Sequence, residues 1–300
     1  MNKAKKIVCS VLLVLVSAAL SFASEFSPVV STDWLEKNLN NTNLIIIDIR
    51  KSEVFKENHI PNSINVIYNA WAIEKAGRKN ELPEEDDLQD LITGAGINNN
   101  SIIVIVGISE NLTELVNMTR VAWSLNYAGL EKVAVLDGGF TKWVKEGKPL
   151  TTELKKPEAG NFKIKLNKGI YADKNYVKNS IGRATIVDSR MPDFFFGVSK
   201  LDFVARAGHI ESAVNLPSGW IFTKDGTYKS VEDLSAMANG VIGNDKEKEI
   251  ITYCDTGRLA SGWWFVLSKV LGYKNVKMYD GSAEDWAKDS SMPMIKYSWK

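Results

Sequence analysis

The same series of short motifs occurs twice, in the same order, along this 300-residue chain, and a repeat of that length restricts the fold more than any other feature. Ile45-Ile46-Ile47-Asp48-Ile49-Arg50 matches Thr185-Ile186-Val187-Asp188-Ser189-Arg190. The segment His59 to Asn65 matches His209 to Asn215, which makes the only two histidines equivalent. Ile103 to Val106 matches Ile250 to Tyr253, and Lys132 to Gly138 matches Asn275 to Gly281. Trp143 and Trp286 each follow six residues after the Asp of that last motif. Two homologous domains are expected, at 24–150 and 169–300. Residues 151–168, with Pro157 and Gly160, read as a linker in which Phe162 to Leu166 is a strand-like run into the second domain. Each half alternates short β-branched runs with helical segments. Ile45–Ile47, Ile102–Val106 and Val133–Leu136 have the continuous apolar character of strands buried on both faces of a parallel sheet. Ser261 to Leu271 carries a helical apolar face at 263, 266, 267 and 270, and Gly272 supplies a stop. The expected fold class is α/β, each domain a central parallel sheet flanked by helices.

Hydrophobic residues make up 45% of the chain and charged residues 24%, enough apolar side chain for packed cores, which excludes disordered and low-complexity classes. Lys plus Arg is 37 and Asp plus Glu is 36, so no electrostatic argument points to nucleic acid. Lys3, Lys5 and Lys6 precede an apolar run from Ile7 to Leu20, and Ser21-Phe22-Ala23 ends it with small residues at the two positions a signal peptidase reads. Residues 1–23 are expected to be a secretory signal peptide rather than an anchor, because the run is shorter than the ~20 residues of a spanning helix. The mature protein is then periplasmic or extracellular, with no membrane attachment. Loss of the three lysines leaves 34 basic against 36 acidic residues, a net of −2.

Cleavage also removes Cys9, so Cys254 becomes the one thiol of the mature chain. An exported protein is expected to pair its cysteines or have none, and a leftover thiol is a liability unless it is used. A buried structural Cys is the plainer alternative. The neighbours of Cys254 favour use. A strand from Glu249 to Tyr253 runs into Cys254-Asp255-Thr256-Gly257-Arg258-Leu259, and a helix begins near Ala260. Ligands of open α/β sheets bind beyond the carboxyl ends of the strands. Curled loop amides, a helix N-terminus and the Arg258 charge are expected to stabilise a thiolate there and lower the thiol pKa. Gly257 lets the loop curl without a Cβ clash. In the first half the turn starts at Gly107 in place of the Cys, and its loop is four residues longer before the shared landmark Gly129/Gly272. The second half thus carries a candidate nucleophile and the first half a degenerate copy. No zinc-ligand spacing and no Gly-rich nucleotide loop occurs, so neither metal nor cofactor is expected.

Taken together, Asp-x-Arg, then Gly-His-Ile with Ala-x-Asn, then Tyr-Cys-x-x-Gly-Arg, then Asp-Gly-Ser and Trp resemble the tandem-domain rhodanese sulfurtransferases of the thiosulfate type. The resemblance covers nearly the whole mature chain. It implies an inactive first domain, a catalytic second domain and a cleft between them. It also implies a reaction: the Cys254 thiolate takes a sulfane sulfur from a donor and passes it as a persulfide to a thiophilic acceptor such as cyanide or a thiol. The partners expected are these small molecules, with a monomeric protein. Arg258 follows the Cys after three residues, where related phosphatases have five, which argues against a phosphate substrate.

The donor is read from departures. Mercaptopyruvate-type members resemble Cys-Gly-x-Gly in the loop and carry a second Arg after the Asp-x-Arg motif, whereas this chain has Cys-Asp-Thr-Gly-Arg and Phe194-Phe195-Phe196-Gly197. That favours thiosulfate over 3-mercaptopyruvate. Arg258, and by resemblance Arg190, would bind the anion, and Asp255 opposes it unless paired, with Arg258 as the expected partner. A sulfane-sulfur carrier or redox protein without a small-molecule donor uses the same Cys254 and stays open. A binding module that has lost its nucleophile is disfavoured by Cys254. His59 and His209 are read as scaffold, Asp48/Arg50 and Asp188/Arg190 as ion pairs, and Glu81 to Asp87 as a solvated acidic loop.

Overall fold

The computed structural model describes residues 26–299, and the expected signal peptide lies outside them. Each β-branched run of the sequence forms a strand of a parallel sheet. The first half contributes β1 (Val29–Val30), β2 (Leu44–Asp48), β3 (Ser63–Asn65), the antiparallel hairpin β4 (Ile73–Lys75) and β5 (Arg78–Glu81), β6 (Ile102–Val106) and β7 (Val133–Leu136). Its five-stranded sheet runs β1-β7-β6-β2-β3. The second half contributes β8 (Tyr171–Ala172), β9 (Thr185–Asp188), β10 (His209–Ile210), β11 (Val214–Asn215), β12 (Glu249–Tyr253), β13 (Asn275–Tyr279) and β14 (Met294–Ile295). Its sheet runs β8-β13-β12-β9-β11, the same topology. Every pairing within the two sheets is parallel.

The repeat extends to individual hydrogen bonds. Asn65 Nδ2 donates to the carbonyls of Asp48 and Arg50 at 3.0 and 2.9 Å, and Asn215 Nδ2 makes the same pair to Asp188 and Arg190. Trp143 Nε1 donates to the Pro149 carbonyl and Trp286 Nε1 to the Pro293 carbonyl. His59 and His209 are buried, stacked on Phe55 and Phe195, and held through Nδ1 by those residues' carbonyl oxygens at 2.8 Å. These are scaffold roles, and burial pushes the His209 pKa down.

Three local expectations are corrected. Phe162 to Leu166 is not a strand; it is a strap over the first half, with Phe162 N–H donating to the Ile97 carbonyl and Lys165 N–H to the Ala128 carbonyl. Gly160 lets the strap lie flush, since a Cβ there would meet the Ile97 oxygen at 2.0 Å. The four extra residues of the first half sit in its helix, Leu112–Tyr127, and not in the loop. The matching helix is Ala260–Phe265, continued by a π-helical turn, Val266–Val270. Glu81 is not solvated: it is buried beside Arg78 (2.9 Å), and desolvation, helped by Asp280, pushes its carboxyl up to about 7.

The two halves share an apolar core that runs from Ile47 and Val121 to Trp263 and Met278. Helix Leu112–Tyr127 packs on helix Ala260–Phe265, and Thr119 Oγ1 and Ser261 Oγ hydrogen-bond across the contact at 2.8 Å. Burying this seam removes from water the flanks of the two turns that the repeat makes equivalent. No helix among the described residues is long and apolar enough to cross a membrane.

Candidate active site

Register brings the site together. Asp188 pairs with Tyr253 across β9 and β12, so the Asp-x-Arg segment ends beside the turn that opens with Cys254. Tyr253 donates its hydroxyl to Asp188 Oδ2 at 2.6 Å, inside the core. Cys254 is 1% exposed and is the free cysteine of the described chain. The N–H groups of Thr256, Leu259 and Ala260 are directed at its sulfur. The loop is closed from beneath by Ser282, whose Oγ accepts from the N–H of Cys254 (3.1 Å) and of Gly257 (3.0 Å) and donates to the Tyr279 carbonyl (2.8 Å). Gly257 has φ +73°, and a Cβ there would lie 2.7 Å from Asp280 Oδ1, so no other residue closes this ring without displacing it. The sequence shows Ser282 only as the last letter of Asp-Gly-Ser; its role as the loop's anchor is a tertiary fact.

The thiol is not lowered as the sequence suggests. Burial pushes the Cys254 pKa up, the Asp255 charge adds to it, and the three amides work against both. The cradle stabilises a thiolate once formed but does not by itself keep one ionised.

The charged residues also lie differently. Asp255, 7% exposed, is paired with Arg190 (Nη1 to Oδ1, 3.3 Å) and not with Arg258. Burial raises its carboxyl to about 6, against the pull of Arg190. Arg190 is 1% exposed and committed to Asp188, to the Gly208 carbonyl and to Asp255, so it acts on the loop through Asp255 and not as an open anion-binding arm. Arg258 turns away from the sulfur toward the first half. Its Nε donates to Tyr68 Oη (3.1 Å), its Nη2 donates to Asn80 Oδ1 (2.7 Å), and its guanidinium lies over the Tyr68 ring. Leu259 carries the carbonyl that accepts from Ser218 Oγ at 2.6 Å, fixing the start of the helix. One expected result follows. Replacing Asp255 with Asn removes a negative charge beside the thiol and leaves Arg190 neutralised by Asp188, so the fold should hold. Iodoacetamide alkylation of Cys254 at pH 7 should speed up by roughly threefold or more, the scale of one nearby charge in a protein interior. An unchanged alkylation rate would show that Asp255 does not act on the sulfur.

The first half covers this loop, through residues the sequence reading did not single out. Asn80, at the end of hairpin β4–β5 with φ +58°, donates from Nδ2 to Thr256 Oγ1 at 2.8 Å. Arg120, fully buried, pairs with Asp280 at 2.8 Å and also donates to the Asn80 carbonyl. The Leu82 N–H donates to Asp280 Oδ2 and the Lys79 N–H to Glu284 Oε2. The contacts that cross between the halves join residues 160 to 205 positions apart, beyond the reach of any local pattern. Among the described residues no group of three or more His, Cys, Asp or Glu side chains is placed to hold a metal ion.

A model of the rhodanese-like domain matches twice, at residues 31–146 and 173–289. A protein of Saccharopolyspora erythraea named "Putative thiosulfate sulfurtransferase" is 32% identical over 275 residues, covering 88% of this chain and 95% of the relative. The sulfur carrier protein TtuD of Thermus thermophilus is 30% identical over 280 residues, covering 89% and 96%. Among solved structures, YnjE superposes with a TM-score of 0.78 at 23% identity over 90% of this chain and 68% of that one. SseA of Escherichia coli, described as a 3-mercaptopyruvate sulfotransferase with the rhodanese fold, superposes at 0.73 with 24% identity over 85% and 98%. With two matched domains, a repeated parallel sheet and a cysteine turn in the second copy alone, the chain belongs to the rhodanese family of sulfurtransferases.

Proposed function

We propose that this protein moves a sulfane sulfur from thiosulfate to a thiophilic acceptor through a persulfide on Cys254. The observation that carries the reading is the ring of Thr256, Leu259 and Ala260 amides around the Cys254 thiol, the one thiol among the described residues, at the carboxyl end of β12. In the first step the Cys254 thiolate attacks the outer sulfur of thiosulfate. The S–S bond of the donor breaks and sulfite leaves with its electron pair. Cys254 then carries an S–S⁻ group whose terminal charge the loop amides stabilise. In the second step cyanide or a thiolate attacks the outer sulfur, and the Cys254 thiolate departs into the same cradle. Burial excludes water from the persulfide, which protects it from side reactions. The leader-like residues 1–23 support export, with this chemistry in the periplasm or outside the cell.

Two features favour thiosulfate over 3-mercaptopyruvate. The segment where mercaptopyruvate-type members carry a second arginine is here an aromatic plug, with Phe195 stacked on His209 at 3.8 Å and Phe196 tilted against Trp299 at 4.9 Å. The next arginine along, Arg206, is spent on the carbonyls of Trp286, Ala287, Asp289 and Met292. No arginine from that stretch is free for a substrate carboxylate. The kinship with TtuD supports a second reading, a carrier that receives its sulfur from a protein. Steady-state assays with cyanide as acceptor separate these. The thiosulfate reading expects a kcat/KM at least tenfold above that for 3-mercaptopyruvate, a gap worth about 1.4 kcal/mol. A preference for mercaptopyruvate overturns the donor assignment, and no turnover with either donor favours the carrier.

A further inference from the structure

The degenerate turn of the first half does not close on itself as the active one does. In the second half Arg190 spends Nη1 on Asp255. The repeat places Arg50 at the position of Arg190, Gly107 at that of Cys254 and Ile108 at that of Asp255. Arg50 keeps the matching bonds of Nε and Nη2, to Asp48 and to the Asn58 carbonyl. With Ile108 in place of the carboxylate, its Nη1 has no hydrogen-bond partner among the described residues. Above this turn lies a cavity of about 440 Å³, lined by Arg50, Ile108, Glu114, Asn117 and Arg258, with apolar walls from Ile49 and Ile67. Its size falls in the range of small-molecule sites.

The wall is bipolar. Arg50, and Arg258 through the Nη1 not used on Tyr68 or Asn80, present guanidinium donors. From helix Leu112–Tyr127, Glu114 and Asn117 face them, three residues apart and so on one side of the helix. One carboxylate oxygen of Glu114 and the amide oxygen of Asn117 are shut off from solvent with no donor. Unpaired buried acceptors of this kind are costly, and a ligand that brings a donor relieves the cost. Lys51 also lines the cavity, so a simple inorganic anion meets Arg50, Lys51 and Arg258 but leaves the Glu114 and Asn117 acceptors without a donor. A ligand with a carboxylate, an ammonium and a short apolar or sulfur-containing side chain matches all three surfaces.

We propose that this cavity is a second ligand site, specific for a small zwitterionic α-amino acid. Its carboxylate lies on Arg50 and Arg258, its ammonium on Glu114 and Asn117, and its side chain against Ile108 and Ile67. The site uses none of the Cys254 chemistry, so binding alone tests it. The experiment is calorimetric titration of the full-length protein with L-methionine. N-acetyl-L-methionine and L-methionine methyl ester, which each lack one charge, and sodium sulfate serve as comparison ligands. Saturable binding of L-methionine up to about 10 mM is expected, with each single-charge analogue at least about tenfold weaker and sulfate silent. Glu114→Gln should weaken L-methionine by about tenfold. Ile108→Asp should abolish binding by giving Arg50 the carboxylate that its counterpart already has, and unchanged circular dichroism confirms that both variants fold. Absent L-methionine binding, equal binding of the analogues, sulfate binding at the same site, or undiminished affinity in both variants overturns the proposal.

Discussion

Replacement of Cys254 by serine is expected to abolish sulfur transfer, by roughly 10³-fold or more in kcat, while the protein still folds. The substitution is close to isosteric in a site that is 1% exposed, and the hydroxyl can accept from the same Thr256, Leu259 and Ala260 amides. The structural bonds of the loop run through the backbone of Cys254, to Ser282 Oγ and from Ala283, and not through its sulfur. Serine therefore removes the nucleophile and little else. Thiocyanate formation from thiosulfate and cyanide measures the loss, and thermal unfolding checks the fold. A folded variant with wild-type turnover would show that Cys254 is only a packing residue.

The second large effect belongs to the seam between the halves. Arg120 has no solvent-exposed side-chain surface, pairs with Asp280 at 2.8 Å and lies over the Trp123 ring. Burial already raises the Asp280 carboxyl, and the Arg120 charge is the strongest influence that opposes this. Replacing Arg120 with Met leaves Asp280 buried without its cation, at a cost of about 3–5 kcal/mol. In a chain of this size that lowers Tm by roughly 10 °C. The Arg120→Met, Asp280→Asn double variant should recover part of the loss, because the stranded charge is gone. Asp280 also packs against Gly257, so Arg120→Met should loosen the active loop and reduce kcat in the folded fraction. A Tm within a degree or two of wild type would show that the pair contributes little to holding the halves together.

The repeat made the fold legible. Asp48/Arg50 and Asp188/Arg190 read as ion pairs in the sequence and are ion pairs, because a local i, i+2 pairing at a strand end needs no knowledge of the rest of the chain. The β-branched runs became the strands for the same reason. The turn at Cys254 was legible as a place, beyond a strand and before a helix. Its electrostatics were not. Whether Arg258 faces the sulfur or Tyr68 depends on a residue 190 positions away. The burial that raises the thiol is set by the first half packed over the loop. Glu81 looked like one carboxylate of an acidic run, and only docking of hairpin β4–β5 on the second half shows it to be interior. Local pattern fixes where the chain turns; the charge state at the turn is a property of everything packed around it.

The proposed chemistry requires a persulfide on Cys254, in the amide cradle of the second half. Intact-mass spectrometry of the protein after incubation with thiosulfate tests this most directly. A gain of one sulfur atom per chain is expected, mapped to the Cys254 peptide, discharged by cyanide and absent in Cys254→Ser. An unchanged mass after thiosulfate and after 3-mercaptopyruvate, in folded protein with a reduced thiol, would contradict it.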